Sequence, residues 1–311
     1  MYTLQRFILM ALDPVHIGTG GYRLGRVDMS IAREPGTNLP KIPGTSLAGA
    51  ARSYAAMRYE KPQCAGQGGG DKPEKKHCGE PTCPICYTFG SIRGTEGGNA
   101  GTVSLADAQL LLFPVHSMAG PVWVTTKARL IEAGFGVTAP DLSREQFATT
   151  LAGWAKPLNL GWLLLEHQAG SVQVNLNGKS VQNWDAVAGR LALVDDGLFS
   201  QIVNSNLEVR TSVSIDPATG AAKGGALFTY EALPRASWLW CDVVEDDYRK
   251  GDNPWPVSQT VTEKALGETW NKPLDVVRAG LRLSEYLGIG GMGTRGFGRI
   301  KLAGDWEVSH A

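Results

Sequence analysis

The stretch LGIGGMGTRGFGRI, residues 287–300, decides how this chain is read. Gly288, Gly290 and Gly293 satisfy G-x-G-x-x-G, the spacing of a dinucleotide-binding turn. That fold needs a strand before the glycines, a helix after them and a further βαβ unit. Here the order is reversed. The preceding LDVVRAGLRLSEYLG has helical spacing, the following GRIKLAG has strand character, and the chain ends eleven residues after Ile300. There is no Walker lysine pattern either. Two readings remain. The loop could lie against a phosphate chain with Arg295 and Arg299 supplying charge, or it is a tight helix-to-strand turn without a ligand.

Outward from this loop, the chain of 311 residues is 43% hydrophobic and 19% charged, enough for one large core. Short apolar runs with strand character recur: FILMAL, QLLLFPV, GPVWVTT, SVQVNL and WLWCDVV. Helical spacing marks three segments: 44–60, with Thr45 or Ser46 as its cap, 143–156, and 260–288. The expected fold class is α+β: one core sheet with helices on one face and long loops elsewhere. We read residues 1–311 as a single domain with insertions at 59–101, 204–230 and 287–300. Trp123, Trp154, Trp162, Trp238 and Trp240 fall in apolar runs and read as core. No apolar run reaches membrane-spanning length, and MYTLQRFILMALDPV reads as a first strand, so a cytoplasmic chain is expected.

Thirty basic residues balance thirty acidic ones, which argues against adhesion to nucleic acid through the whole surface. The positive charge is local. Residues 16–58 carry Arg23, Arg26, Arg33, Lys41, Arg52 and Arg58 against Asp28 and Glu34, and residues 287–301 carry three bases and no acid. Both segments are glycine-rich, where backbone can approach phosphate closely.

Cys64, Cys78, Cys83 and Cys86 form C-x13-C-x4-C-x2-C within a segment that has little else to pack. This is the ligand set of a closed tetrahedral zinc site, structural because four protein ligands leave no open position; His77 could replace one thiol. A zinc deaminase is excluded. His77 and Glu80 are three apart rather than two, and almost adjoin the cysteine pair. His16, beside Gly18 and Gly20, could serve metal-independent RNA cleavage, but reads better as a structural residue at a strand end. Asp28 is a lone acid in a basic, glycine-rich segment. On the residues alone it could cap a turn, pair with Arg26 or Arg33, or hold a cation.

The segments HIGTG, GRVDMSIARE, IPGTSLAGAAR, CPICYTFGS, NLGWLLLE, NSNLEVRTSVSIDPATGAAKGGALFTYEALPR and GIGGMGTRGFGRI resemble, in this order, the RAMP superfamily and within it the backbone subunit of type III-B (Cmr) CRISPR effectors. The resemblance implies a modified RRM-like (ferredoxin-like) palm with a zinc-knuckle insertion and a β-hairpin thumb near 206–226. It implies copies lined up along a guide RNA, with other effector subunits, in antiviral defence. It also implies that Asp28, in the family's G-x-V-D pattern, cleaves complementary target RNA with Mg²⁺ or Mn²⁺. Gly44, Thr45 and Ser46 would grip the guide at a helix start, and Arg210, Gly290, Gly291, Gly293 and Arg295 would also contact RNA. Related sequences usually carry lysine where Ala48 stands, so Arg52 could take over that contact. Three functions follow: a metal-dependent endoribonuclease acting within the assembled complex, a non-catalytic RNA-binding scaffold, or a guide-processing ribonuclease using His16.

Overall fold

The computed structural model describes residues 2–20, 27–66, 77–92, 97–249, 255, 259–260 and 268–309. Arg23, Arg26 and much of the expected helix before residue 268 lie outside these.

An eleven-stranded mixed sheet organises the chain. Its strands are β1 (Thr3–Ala11), β2 (Lys41–Ile42), β3 (Val103–Leu105), β4 (Ala108–Ser117), β5 (Gly120–Thr125), β6 (Gln146–Thr149), β7 (Leu158–Leu160), β8 (Leu163–His167), β9 (Leu191–Val194), β12 (Trp238–Glu245) and β13 (Ile300–Glu307). Two further strands, β10 (Glu208–Ile215) and β11 (Ala222–Ala232), form a separate antiparallel hairpin. The sheet runs β7-β8-β6-β9-β5-β4-β12-β1-β13, with β2 beside β4 and β3 beside β12. Only β8–β6 and β9–β5 pair in parallel. β1 is central to the end of the sheet that matters here, antiparallel to β12 on one side and β13 on the other.

Two fifteen-residue helices, α1 (Gly44–Arg58) and α5 (Pro273–Leu287), cover one face of this end. They cross at backbone contact. A β-carbon on Gly280 would fall inside the van der Waals envelope of the Ala51 carbonyl oxygen. The core beneath joins Phe7, Leu9, Leu47, Leu239, Leu274 and Leu281. The other face carries a second core around Ile8, Leu112, Trp184 and Trp238, closed by loop segments and by short helical turns that contribute Leu130 and Val187. Three short helices complete the architecture used below: α2 (Pro84–Phe89), α3 (Lys127–Glu132) and α4 (Asp196–Ser205).

Four expectations are corrected. Residues 143–156 are not a helix, because Gln146–Thr149 pairs with β8 and β9 and is drawn into the sheet. α1 has no side-chain cap from Thr45 or Ser46; its N-cap is Pro43, and the Asp107 carboxylate accepts from the Gly44 amide at 2.7 Å instead. The last helix begins only at Pro273, where proline suits a first helical position. Trp162 is 72% exposed in the β7–β8 turn, whereas Trp238 and Trp240 are buried as expected.

Candidate nucleic-acid interface and metal centre

The glycine-rich loop leaves α5 at Gly288 and docks against residues 14–16. The Gly291 amide donates to the His16 carbonyl at 2.9 Å and the Gly298 amide to that of Pro14 at 2.8 Å. Gly290 must be glycine. It has φ +81°, and a β-carbon there would stand 2.5 Å from the His16 carbonyl oxygen. The Tyr54 hydroxyl of α1 donates to the Gly288 carbonyl, tying helix to loop. Between them lies a groove of about 370 Å³ lined by Thr45, Ser46, Gly49, Ser53 and Tyr54 on one side and Gly288, Gly290 and Gly293 on the other. Residues far apart in the sequence are thereby brought together.

The arginines are less free than their spacing suggests. Arg299 is paired with Asp13 at 2.5 Å. Arg295 lies 5.5 Å over the Phe228 ring, and Arg210 lies 4.7 Å over Phe297 while paired with Glu208. Both therefore sit where the hairpin meets the glycine-rich loop. Arg52 departs from expectation. Its guanidinium donates to the carbonyls of Cys64, Phe89 and Gly90 at 2.8, 3.1 and 3.0 Å, on the cysteine side of α1 and away from the groove.

Asp28 lies at the root of the hairpin, exposed to solvent. The amide and the hydroxyl of Thr229 both donate to its Oδ2, at 2.7 and 2.8 Å, and its own amide donates to the Thr229 hydroxyl at 3.1 Å. These bonds, the Thr229 amide first, hold its carboxyl below the usual carboxylate range. It is therefore ionised at neutral pH. It does not pair with Arg33, which donates to the buried Glu231 carboxylate at 2.6 Å and to Asn204 at 3.0 Å. Arg33, Glu231 and Asn204 line a cavity of about 830 Å³ beside residues 27–32. His16 is buried and donates through Nδ1 to the Glu231 carbonyl at 2.7 Å, a structural role. Sequence reasoning missed Thr229 and Glu231. Both stand in FTYEALPR, where only the hairpin was legible; their partners lie some 200 residues away.

The four cysteines come together, their ligand atoms all within 4.8 Å of one another. Recorded sulfur separations are 3.4, 3.7, 3.7 and 3.8 Å. Sulfurs about 2.3 Å from a tetrahedral zinc stand about 3.8 Å apart, so the set fits such an ion. His77 is not part of it. The Ile92 amide donates to its Nδ1 and its Nε2 donates to the Ala65 carbonyl, both at 3.1 Å. Hydrogen bonds from Cys83 and Cys86 favour a thiolate on Cys64, and the same bonds push Cys83 and Cys86 upward. Without a cation the cluster retains protons; with one it can lose them all.

Residues 8–301 match the RAMP superfamily. The chain belongs to this superfamily. A curated relative, the CRISPR system Cmr endoribonuclease Cmr4 of Pyrococcus furiosus, is 28% identical over 94% of this chain and 93% of its own. Two solved structures share the fold of this RAMP protein. One is oligomeric Cmr4 from Pyrococcus furiosus, with TM-score 0.57 and 20% identity, covering 99% of this chain and 100% of that one. The other is a chain of type III-B Cmr-beta bound to cognate target RNA, with TM-score 0.61 and 17% identity, covering 96% of each.

Proposed function

We propose that this RAMP protein is the guide-RNA-binding backbone subunit of a type III-B effector, repeated along the guide, and that each copy cleaves complementary target RNA at Asp28. The strand order β4-β12-β1-β13, with α1 and α5 on one face, supports a ferredoxin-like palm: in chain order these are its second, third, first and fourth strands. The hairpin of β10 and β11 is its thumb. The groove between α1 and the glycine-rich loop suits the guide backbone, since glycines and hydroxyls can approach phosphate closely. The partners are the guide, the target RNA, further copies of this chain and other effector subunits.

One observation carries the catalytic reading. Asp28 is an ionised, exposed carboxylate whose Oδ1 has no hydrogen-bond partner among the described residues, at the junction of hairpin and palm. That oxygen would hold Mg²⁺ or Mn²⁺, whose other ligands would be water and RNA oxygens. Such an ion neutralises charge on the phosphate in transit. The RNA's own 2′-hydroxyl is the nucleophile in this reading, so the chain's task is alignment. The cysteine cluster would hold a structural zinc.

The test is cleavage of a labelled complementary RNA by the guide-loaded complex in Mg²⁺. Asp28→Ala should lower the rate about a hundredfold or more while assembly and target affinity persist. Unchanged cleavage would leave the chain a scaffold. Cleavage surviving chelation of Mg²⁺ would point instead to metal-independent chemistry.

A further inference from the structure

We infer that Thr229 positions the Asp28 carboxylate, holding Oδ2 so that Oδ1 is the oxygen presented to a divalent cation and the RNA. This deepens the reading of Asp28 as the acid that cleaves, and rests on it. An exposed aspartate on a short segment has no packing to choose between its two oxygens. Here the choice is made. Two donors converge on Oδ2, the Thr229 amide at 2.7 Å and its hydroxyl at 2.8 Å. The same hydroxyl accepts from the Asp28 amide at 3.1 Å. One hydroxyl thus fixes both the side chain and the backbone of the acid, which only a residue with a donor and lone pairs on one atom can do.

The clamp is part of a larger docking. The Met29 amide donates to the Thr229 carbonyl at 3.0 Å, the Glu231 amide donates to the Met29 carbonyl at 3.2 Å, and the Ile31 amide donates to the Glu231 carboxylate at 2.9 Å. The segment bearing Asp28 is therefore laid along β11. That strand continues into the hairpin and pairs Thr229 with Thr211 of β10. Whatever orders the hairpin also orders the acid, and Thr229 is where the two meet.

The experiment compares guide-loaded complexes carrying wild type, Thr229→Val, Thr229→Ser and Asp28→Ala. Each is assayed in single turnover on labelled complementary RNA across a Mg²⁺ titration, with target affinity measured separately. Valine keeps the shape and strand preference of threonine but has no hydroxyl; serine keeps the hydroxyl and loses the methyl. Thr229→Val should slow the chemical step about tenfold and raise the Mg²⁺ concentration for half-maximal rate, with target affinity within about twofold of wild type. Thr229→Ser should cleave near the wild-type rate. A packing role predicts the reverse ranking. Wild-type cleavage by Thr229→Val, or equal loss in both variants, would overturn the inference while leaving Asp28 intact. Wild-type cleavage by Asp28→Ala would overturn the parent reading itself, and this one with it.

Discussion

Asp107 accepts from the Lys41 ammonium at 2.5 Å and from the Gly44 amide at 2.7 Å. These bonds, that of Lys41 first, hold its carboxyl below its ordinary value of 3.8. It thereby supplies α1 with the cap that the helix's own first turn lacks, at the end that opens onto the groove. Asp107→Ala should therefore cost about 1 kcal/mol at neutral pH, the usual effect of losing a cap, read as a lower midpoint of thermal unfolding. The sign of the pH dependence follows from the depressed folded value. Its contribution is fully present above the unfolded value and is lost as pH falls through the folded one. The gap between wild type and variant should close between about pH 5 and pH 2. An equal gap across that range would mean the carboxylate does not act as a cap. Single residues of this kind are the least legible part of the sequence. Asp28 could be singled out as a lone acid among bases, but Thr229, which fixes it, and Asp107, which caps α1, act across long separations that no local pattern records. Arg52 shows the same limit from the other side: its charge was evident, while the carbonyls that engage it were not.

The helix pair shows how one substitution can have opposite signs at two glycines. Gly280 faces the Ala51 carbonyl across the α1–α5 crossing, whereas a β-carbon on Gly49, in α1, would meet nothing within 4 Å. Alanine in a helix interior is favoured over glycine by up to about 1 kcal/mol. At Gly280 that gain is outweighed, because both sides of the contact are helical backbone and overpacking typically costs about 1–3 kcal/mol. Gly280→Ala should lower the unfolding midpoint and Gly49→Ala should raise it. The Gly49 variant narrows the groove, so its RNA affinity should fall even as stability rises; unchanged affinity would remove the groove from the RNA interface. Elements with a clear period were legible: β1, β4, β12, α1 and the second half of 260–288. Residues 143–156 were not. Phe147, Leu151 and Trp154 have helical spacing, yet Phe147, Ala148 and Thr149 are buried in succession between β8 and β9. Burial on both sides overrode local preference. The continuous pattern in α4 was missed because its cap, Asp195, stands inside the acidic pair DD, which reads as loop.

At the scale of the whole molecule, the cysteine insertion is joined to the groove through α1 and α5. Cys64, Cys83 and Cys86 pack with Ala55 and Ala56 of α1 and with Val276 and Ala279 of α5. Arg52 of α1 is bonded to carbonyls at Cys64 and at the end of α2. The opposite side of α1 lines the groove. An ion held by the cysteines would therefore stabilise more than its own loop. It would fix the position of the helix that the glycine-rich segment closes against, whereas Asp28 is bonded to β11, one element further on, which meets that segment at Arg295–Phe228 and Tyr230–Phe297. Metal removal should separate the two sites accordingly. The chain is expected to carry one zinc by elemental analysis, and Cys83→Ser to lose it, since the metal's binding energy is folding energy here. The metal-free chain should unfold at lower temperature, and the amides of residues 44–58 should exchange faster with solvent. Guide affinity should fall, while exchange in the segment around Asp28 and β11 stays at its wild-type level. A metal-free chain with unchanged melting and unchanged exchange in α1 would show that the four thiols carry no structural ion. Loosening of both sites together would show that the effect is carried on to β11, through the glycine-rich loop or the sheet.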